Sequence, residues 1–97
     1  MRQIHLSKAS KNKLLRQSIW YMANKGESFV RTMMKNINKD IITLSEMPQI
    51  GKPCYIADGI QMYKMPSKKK AVIIYSFTHT DLYIADILFA NTNTPKI

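Results

Sequence analysis

The residues best equipped for chemistry lie in the second half of the chain: Lys64, the run Lys68, Lys69 and Lys70, and the tyrosines Tyr63 and Tyr75. Ammonium groups and phenols so close in sequence can hold and hydrogen-bond a phosphate or a carboxylate, which predicts an anion-facing edge. A solvated hairpin loop accounts for the same lysine run equally well, since exposed charges contribute little to stability. His79, between Thr78 and Thr80, reads as a solvated turn residue, and His5 is far from it in sequence. No His, Cys or Asp grouping has metal-ligand spacing and no glycine-rich phosphate loop is present, so neither a metal nor a cofactor is expected. Asp86 and Glu46 belong to different elements, and nothing in the sequence joins them as an acid pair. Cys54, the single cysteine, can form no internal disulfide and fits a reducing compartment. It reads as a buried or half-buried small hydrophobe.

The frame that must position these side chains is legible from periodicity. Residues 2–6 alternate polar and apolar, as a short strand does. Ser7 or Ser10 then offers a hydroxyl to the free N–H groups of a following helix. In that helix Leu15, Ile19, Met22 and Ala23 recur at helical spacing, widened by Leu14 and Trp20, and the helix should end near Gly26. Val30, Met33, Met34, Ile37, Ile41 and Leu44 form a second and stronger stripe, with Arg31, Lys35, Asn38 and Lys39 mostly opposite. The short link through Gly26 makes the two helices antiparallel, and the methionines at this spacing are core filler.

Pro48, Gly51 and Pro53 break the helical period and reverse the chain. Asp58-Gly59 marks a turn opening a strand over residues 60–65, which Pro66 and Ser67 should stop. Strands over residues 71–78 and 82–89 follow, the second with Tyr83, Ala85, Ile87 and Phe89 on one apolar face and Asp86 with Leu82, Ile84 and Leu88 on a partly covered one. Three successive strands with short links predict an antiparallel meander with the hairpin helices on one side, an α+β fold. The tail, residues 90–97, has no periodic signal and is expected to be mobile or ordered by a partner.

At 97 residues there is room for one core, so residues 1–97 are expected to form one domain. Hydrophobic residues make up 45%, enough to fold. No apolar run approaches the ~20 residues that cross a bilayer, and the first residues lack the hydrophobic stretch of a signal peptide, so a cytoplasmic site is expected. Fifteen Lys plus Arg against six Asp plus Glu give a net charge of +9. That excess draws polyanions or an acidic protein partner.

Three stretches in this order resemble the ParE/RelE toxin superfamily. Leu44-Ser45-Glu46-Met47-Pro48-Gln49-Ile50-Gly51-Lys52-Pro53 is similar to the family's leucine, proline, glycine and proline spacing after the second helix. Gly59-Ile60-Gln61-Met62-Tyr63 looks like the family's strand beginning Gly-hydrophobic-Arg, and Val72-Ile73-Ile74-Tyr75 with Leu82-Tyr83-Ile84-Ala85-Asp86-Ile87-Leu88 looks like its last two strands. The resemblance implies an N-terminal strand, an antiparallel helical hairpin on a small antiparallel sheet, and a bacterial toxin neutralised by a cognate acidic antitoxin that wraps it.

The departures set the expected mechanism. Gln61 and Ser76 stand where the family commonly has arginines, and the histidine and arginines that often follow its last strand are replaced by Phe89, Ala90, Asn91, Thr92 and Asn93. Cutting RNA through its 2′-hydroxyl needs a base, cations for the phosphorane charge and a proton donor. The lysines and tyrosines supply cations and hydroxyls, but no His stands at the family's place. The resemblance therefore implies a ParE-like toxin that acts by binding a macromolecular target, DNA gyrase in that family. The alternatives are a RelE-like ribosome-dependent mRNA endonuclease and a non-toxic binding module on the same scaffold. Gln61, Tyr63, Lys64, Lys68, Lys69, Lys70 and Tyr75 are the candidate target- or anion-binding set. Replacing Lys68, Lys69 and Lys70 together by Ala is expected to leave thermal unfolding unchanged while lowering target or antitoxin affinity in a direct binding titration; unchanged affinity removes them from the mechanism.

Overall fold

The computed structural model describes residues 1–67 and 71–89. Lys68, Lys69, Lys70 and the predicted tail 90–97 lie outside the described residues. The chain forms β1 (Gln3–Leu6), helices α1 (Lys8–Asn24) and α2 (Glu27–Glu46), one 3₁₀ turn (Pro48–Ile50), and strands β2 (Lys52–Ala57), β3 (Ile60–Ser67), β4 (Ala71–Phe77) and β5 (Asp81–Phe89).

Helix α1 starts where its cap is anchored. Ser7 is the N-cap, its hydroxyl accepting from Ser10 N–H at 3.0 Å and donating to the Ala85 carbonyl at 2.7 Å. The Ser10 hydroxyl, fully buried, donates to the Ile84 carbonyl at 3.1 Å. These bonds fix how α1 is rolled against β5, and they select a face that the apolar spacing did not. Ser10, Leu14 and Tyr21 point inward, whereas Leu15, Ile19, Met22 and Ala23 point outward. Leu14 and Tyr21 are themselves seven residues apart, so two stripes competed and the hydroxyl anchors decided between them. The link to α2 turns at Gly26, whose φ of 94° suits glycine.

Helix α2 lies where its stripe predicts. Ile37, Ile41 and Leu44 are buried in one cluster with Ala71, Ile73 and Tyr75 of β4 and Leu82, Ile84, Ile87 and Phe89 of β5, with Met33 and Met34 packed at its margin. Each such Ile or Leu gains roughly 1.5–3 kcal/mol by leaving water. The Asp40 carboxylate takes the Ser67 hydroxyl of β3, and the Ser45 carbonyl takes the N–H of Arg2, just before β1, at 3.1 Å, so the C-terminal half of α2 is tied to the sheet at two points.

The sheet has five strands in the order β1-β5-β4-β3-β2, and it is mixed. The predicted meander β3-β4-β5 is antiparallel throughout, but β1 joins β5 in parallel, with Gln3 opposite Asp81 and Leu6 opposite Ile84. Strand β2, read from sequence as irregular chain reversal, pairs antiparallel with β3 through the Asp58-Gly59 turn. Both turn residues have positive φ, 51° and 79°, as a two-residue hairpin with the sheet's own twist requires. Pro53 is tolerated because β2 is an edge. Strand β3 likewise runs through Pro66, beyond its predicted stop, because β2 pairs only as far as Lys64 and leaves that side of β3 free of a ladder.

A bulge in β5 corrects the expected alternation. Ile74 pairs with Asp86 but Tyr75 with Ile84, which leaves Ala85 unmatched. The inward phase therefore shifts along the strand: Leu82 and Ile84 face the helices before the bulge and Ile87 and Phe89 after it, while Tyr83 is exposed. The bulge also presents the carbonyls of Ile84 and Ala85 that Ser10 and Ser7 take up.

At the β1–β5 junction His5 Nε2 lies 2.8 Å from an Asp81 carboxylate oxygen, and Thr80 donates its hydroxyl to the other oxygen at 2.6 Å. The Thr80 hydroxyl and then His5 hold the Asp81 carboxyl below its ordinary value. Its folded pKa is thus lower than its unfolded one. The stabilisation it brings is complete above the unfolded value and disappears as pH falls through the folded value. A carbon-detected NMR titration is expected to place Asp81 below a model-peptide aspartate, and Thr80→Val to move it back up.

On the other flank Tyr75, fully buried in β4, donates its hydroxyl to the Pro48 carbonyl at 2.5 Å and accepts from Gly51 N–H at 3.1 Å. A Cβ on Gly51 would come within 2.1 Å of that hydroxyl and 2.8 Å of the Lys64 carbonyl. Gly51→Ala is expected to cost about 1–3 kcal/mol through overpacking. Tyr75→Phe is expected to cost about 1–3 kcal/mol by stranding a buried carbonyl. Both are read from urea unfolding midpoints.

Candidate functional site

The candidate residues of β3 and β4 do not converge on one surface. Successive residues of a strand point to opposite faces. Tyr63 pairs with Tyr75 and shares the helix-side face with it, whereas Lys64 pairs with Ile74 on the face turned away from the helices. Tyr63 stacks beside Tyr75 at 5.7 Å between ring centroids and tilts against Phe77 at 5.1 Å. Arg2 closes this aromatic row, its guanidinium 5.6 Å above the Phe77 ring and its Nε donating to the Thr78 carbonyl at 2.7 Å.

Tyr75 leaves the candidate set. Burial pushes its pKa up, opposed by the hydrogen bond from Gly51, and its hydroxyl is committed to the corner between α2 and β2. Tyr75 positions that corner and touches no external ligand. Gln61, on the same face as Tyr63, donates its amide group to the carbonyls of Tyr55 and Met62 at 3.2 and 2.9 Å. It tightens the β2–β3 hairpin where the family's arginine would project.

Lys64 is exposed, and the register sets it directly opposite Lys52 of β2. Two ammonium groups facing each other across neighbouring strands repel, and an anion between them relieves the repulsion. Lys52 is absent from the candidates predicted from sequence because β2 carries no strand period of its own; the pairing alone reveals it. Lys68, Lys69 and Lys70 lie outside the described residues.

Other polar groups take structural places. His79 is exposed in the β4–β5 turn. His5, besides its bond to Asp81, stacks on Tyr83 at 4.9 Å, both on the helix-free face. Asp86 pairs with Lys13 of α1 at 3.1 Å, and Glu46 is exposed at the end of α2. Cys54 is exposed on β2 rather than buried, because this edge strand is exposed along nearly its whole length. Among the described residues no group of three or more His, Cys, Asp or Glu could hold a metal ion, and no helix is long and apolar enough to cross a membrane. The cationic pair on the helix-free face is equipped to hold an anion, whereas the aromatic row under Arg2 packs against the core on the other face.

No protein-family model and no curated protein matches the chain. Among solved structures it is similar to one described as "Chromosomal ParDE TA system from P. aeruginosa", with a TM-score of 0.72 and 11% identity, covering 94% of this chain and 98% of that chain. An identity that low with coverage that complete establishes a shared backbone arrangement, and this chain has the ParE/RelE-like α+β fold.

Proposed function

We propose that the chain is the toxin of a bacterial type II toxin–antitoxin pair of the ParE-like kind, a cytoplasmic protein that acts by binding a macromolecular target and is neutralised by an acidic antitoxin. The observation that carries this reading is the end-to-end structural likeness to a protein of a ParDE system. The net charge of +9 supports an acidic partner. DNA gyrase is the target that the ParE-like resemblance implies.

Binding is favoured over RNA cleavage by how the polar side chains are engaged. Gln61 donates to backbone carbonyls and the Tyr75 hydroxyl is locked to Pro48. His5 is held by Asp81, on strands at the opposite end of the sheet from the lysine pair Lys52 and Lys64. A general base and cations for a cleaving phosphate must converge within hydrogen-bond reach of one substrate atom. These groups are dispersed over several strands and two faces.

The purified chain is expected to block DNA supercoiling by gyrase and to leave messages on translating ribosomes intact. Cleaved message with unhindered gyrase would move it to the RelE-like endonucleases. A chain silent in both assays, whose expression harms no bacterium, would be a binding module on this scaffold.

A further inference from the structure

The apex of the β2–β3 hairpin extends past the ladder that ties β3 to the sheet. That ladder to β4 runs from Tyr63 to Ser67, whereas the pairing of β2 with β3 continues to Ala57 and Ile60. The apex carries Tyr55, Ile56 and Ile60 at 50%, 67% and 54% exposure. Its two turn residues hold positive φ and Gln61 ties it through the Tyr55 and Met62 carbonyls, so its shape is set before a partner arrives. In a two-residue hairpin the pair flanking the turn, here Ala57 and Ile60, is hydrogen-bonded, and bonding alternates along the strand. The N–H and carbonyl of Ile56 therefore point away from β3, toward the open edge.

Edge strands are commonly blunted by a lysine, a proline or a bulge. Strand β2 has all three at its base, in Lys52, Pro53 and the irregularity between Pro53 and Tyr55, and none over Tyr55, Ile56 and Ala57. Charge narrows what can pair there. In a chain of net charge +9, residues 53–63 hold no Lys or Arg and a single acid, Asp58, exposed at the turn. A polyanion or an anionic bilayer finds no cation on this apex. The base of the same hairpin is the reverse, with Lys52 facing Lys64. A ribbon acidic at its tip and cationic at its base is complementary to an antiparallel copy of itself.

We propose that β2 is the docking edge for a second copy of this chain, paired antiparallel about a two-fold axis at Ile56. Each Ile56 N–H donates to the other copy's Ile56 carbonyl, and Tyr55 lies against the partner subunit's Ala57, a large side chain beside a small one. The partner subunit's Asp58 comes to the base of β2, where its carboxylate relieves the repulsion between Lys52 and Lys64. Only the apices meet, which keeps the other cations of two +9 chains apart. A strand from another protein would have to supply the charge and size matches that this chain already holds. The register leaves the two Cys54 residues about 13 Å apart along the strands, too far for a disulfide. The contact is smaller than a standard interface of roughly 1,600 Å², so the dimer is weak and reversible. The pairing goes beyond the toxin reading and does not depend on it.

The test is sedimentation velocity on the full chain, with reductant present, from about 5 to about 500 µM. A shift from monomer to dimer is expected across this range, with hydrogen exchange of the Ile56 amide slowing as the dimer forms. Ile56→Lys sets two ammonium groups together at the axis and should raise the dissociation constant about tenfold or more at an unchanged urea midpoint. Lys52→Asp and Asp58→Lys should each weaken the dimer about fivefold or more, and Lys52→Asp/Asp58→Lys should restore it. Lys52 begins β2 and Asp58 follows its end, so that rescue reads a contact between copies. A chain still monomeric at the highest concentration, its edge left to another protein's strand, would overturn the proposal. So would a dimer seen only without reductant, one indifferent to Ile56→Lys, or charge variants without rescue. The gyrase and message assays are independent of this result: a monomer that blocks gyrase keeps the toxin reading and loses the pairing, and a dimer silent in both assays does the reverse.

Discussion

The apolar seam between α2 and strands β4 and β5 is the contact on which the other elements depend. Ile37, Ile41 and Leu44 enter it from the helix and Ile73, Leu82, Ile84 and Ile87 from the sheet, all nearly or wholly removed from water. Without that seam a five-stranded sheet of short strands would expose one oily face, and α2 would be an isolated helix of marginal stability. The bulge at Ala85 belongs to the same interaction. It lets one strand present Leu82 and Ile84 and then Ile87 and Phe89 to a single helix layer, where strict alternation would have turned one pair to solvent. The carbonyls exposed by the bulge then receive Ser7 and Ser10, which couples the start of α1 to the middle of the sheet.

Charge is distributed by the same set of contacts. Of the six acidic residues, Asp40, Asp81 and Asp86 are tied to Ser67, His5 and Lys13, and Glu27 is paired with Arg31 within α2. Four of the six carboxylates are thereby engaged, with Glu46 and Asp58 exposed, and the cationic excess dominates the surface. It collects in two described places, the cross-strand pair Lys52 and Lys64 and the rows along the outer side of the hairpin.

The corner between α2 and β2 has no catalytic atom, yet it sets what the sheet can display. Tyr75 holds Pro48 and Gly51 in place through one hydroxyl, and Gly51 has no Cβ because that hydroxyl and the Lys64 carbonyl occupy the space. Pro48 and Gly51, two of the residues that carry the family resemblance in sequence, are thus accounted for by packing at this point.

By itself the sequence determined the elements whose pattern is local. The stripe from Val30 to Leu44, the Asp58-Gly59 turn, the meander of the last three strands and the cationic excess were all legible, because periodicity, turn chemistry and charge need no distant partner. Tertiary structure alone decided the rest. Whether Leu14 and Tyr21 or Leu15, Ile19 and Met22 faced inward depended on hydroxyl bonds to a strand far along the chain. Strand β2 became visible only through its ladder to β3, and with it the pairing of Lys52 with Lys64 and the exposure of Cys54. The phase of β5 turned on a single unmatched alanine, and the candidate residues Tyr63, Lys64 and Tyr75 were parted by the pleat and by burial. Such features arise from long-range hydrogen bonding, which leaves no period in the chain to be read.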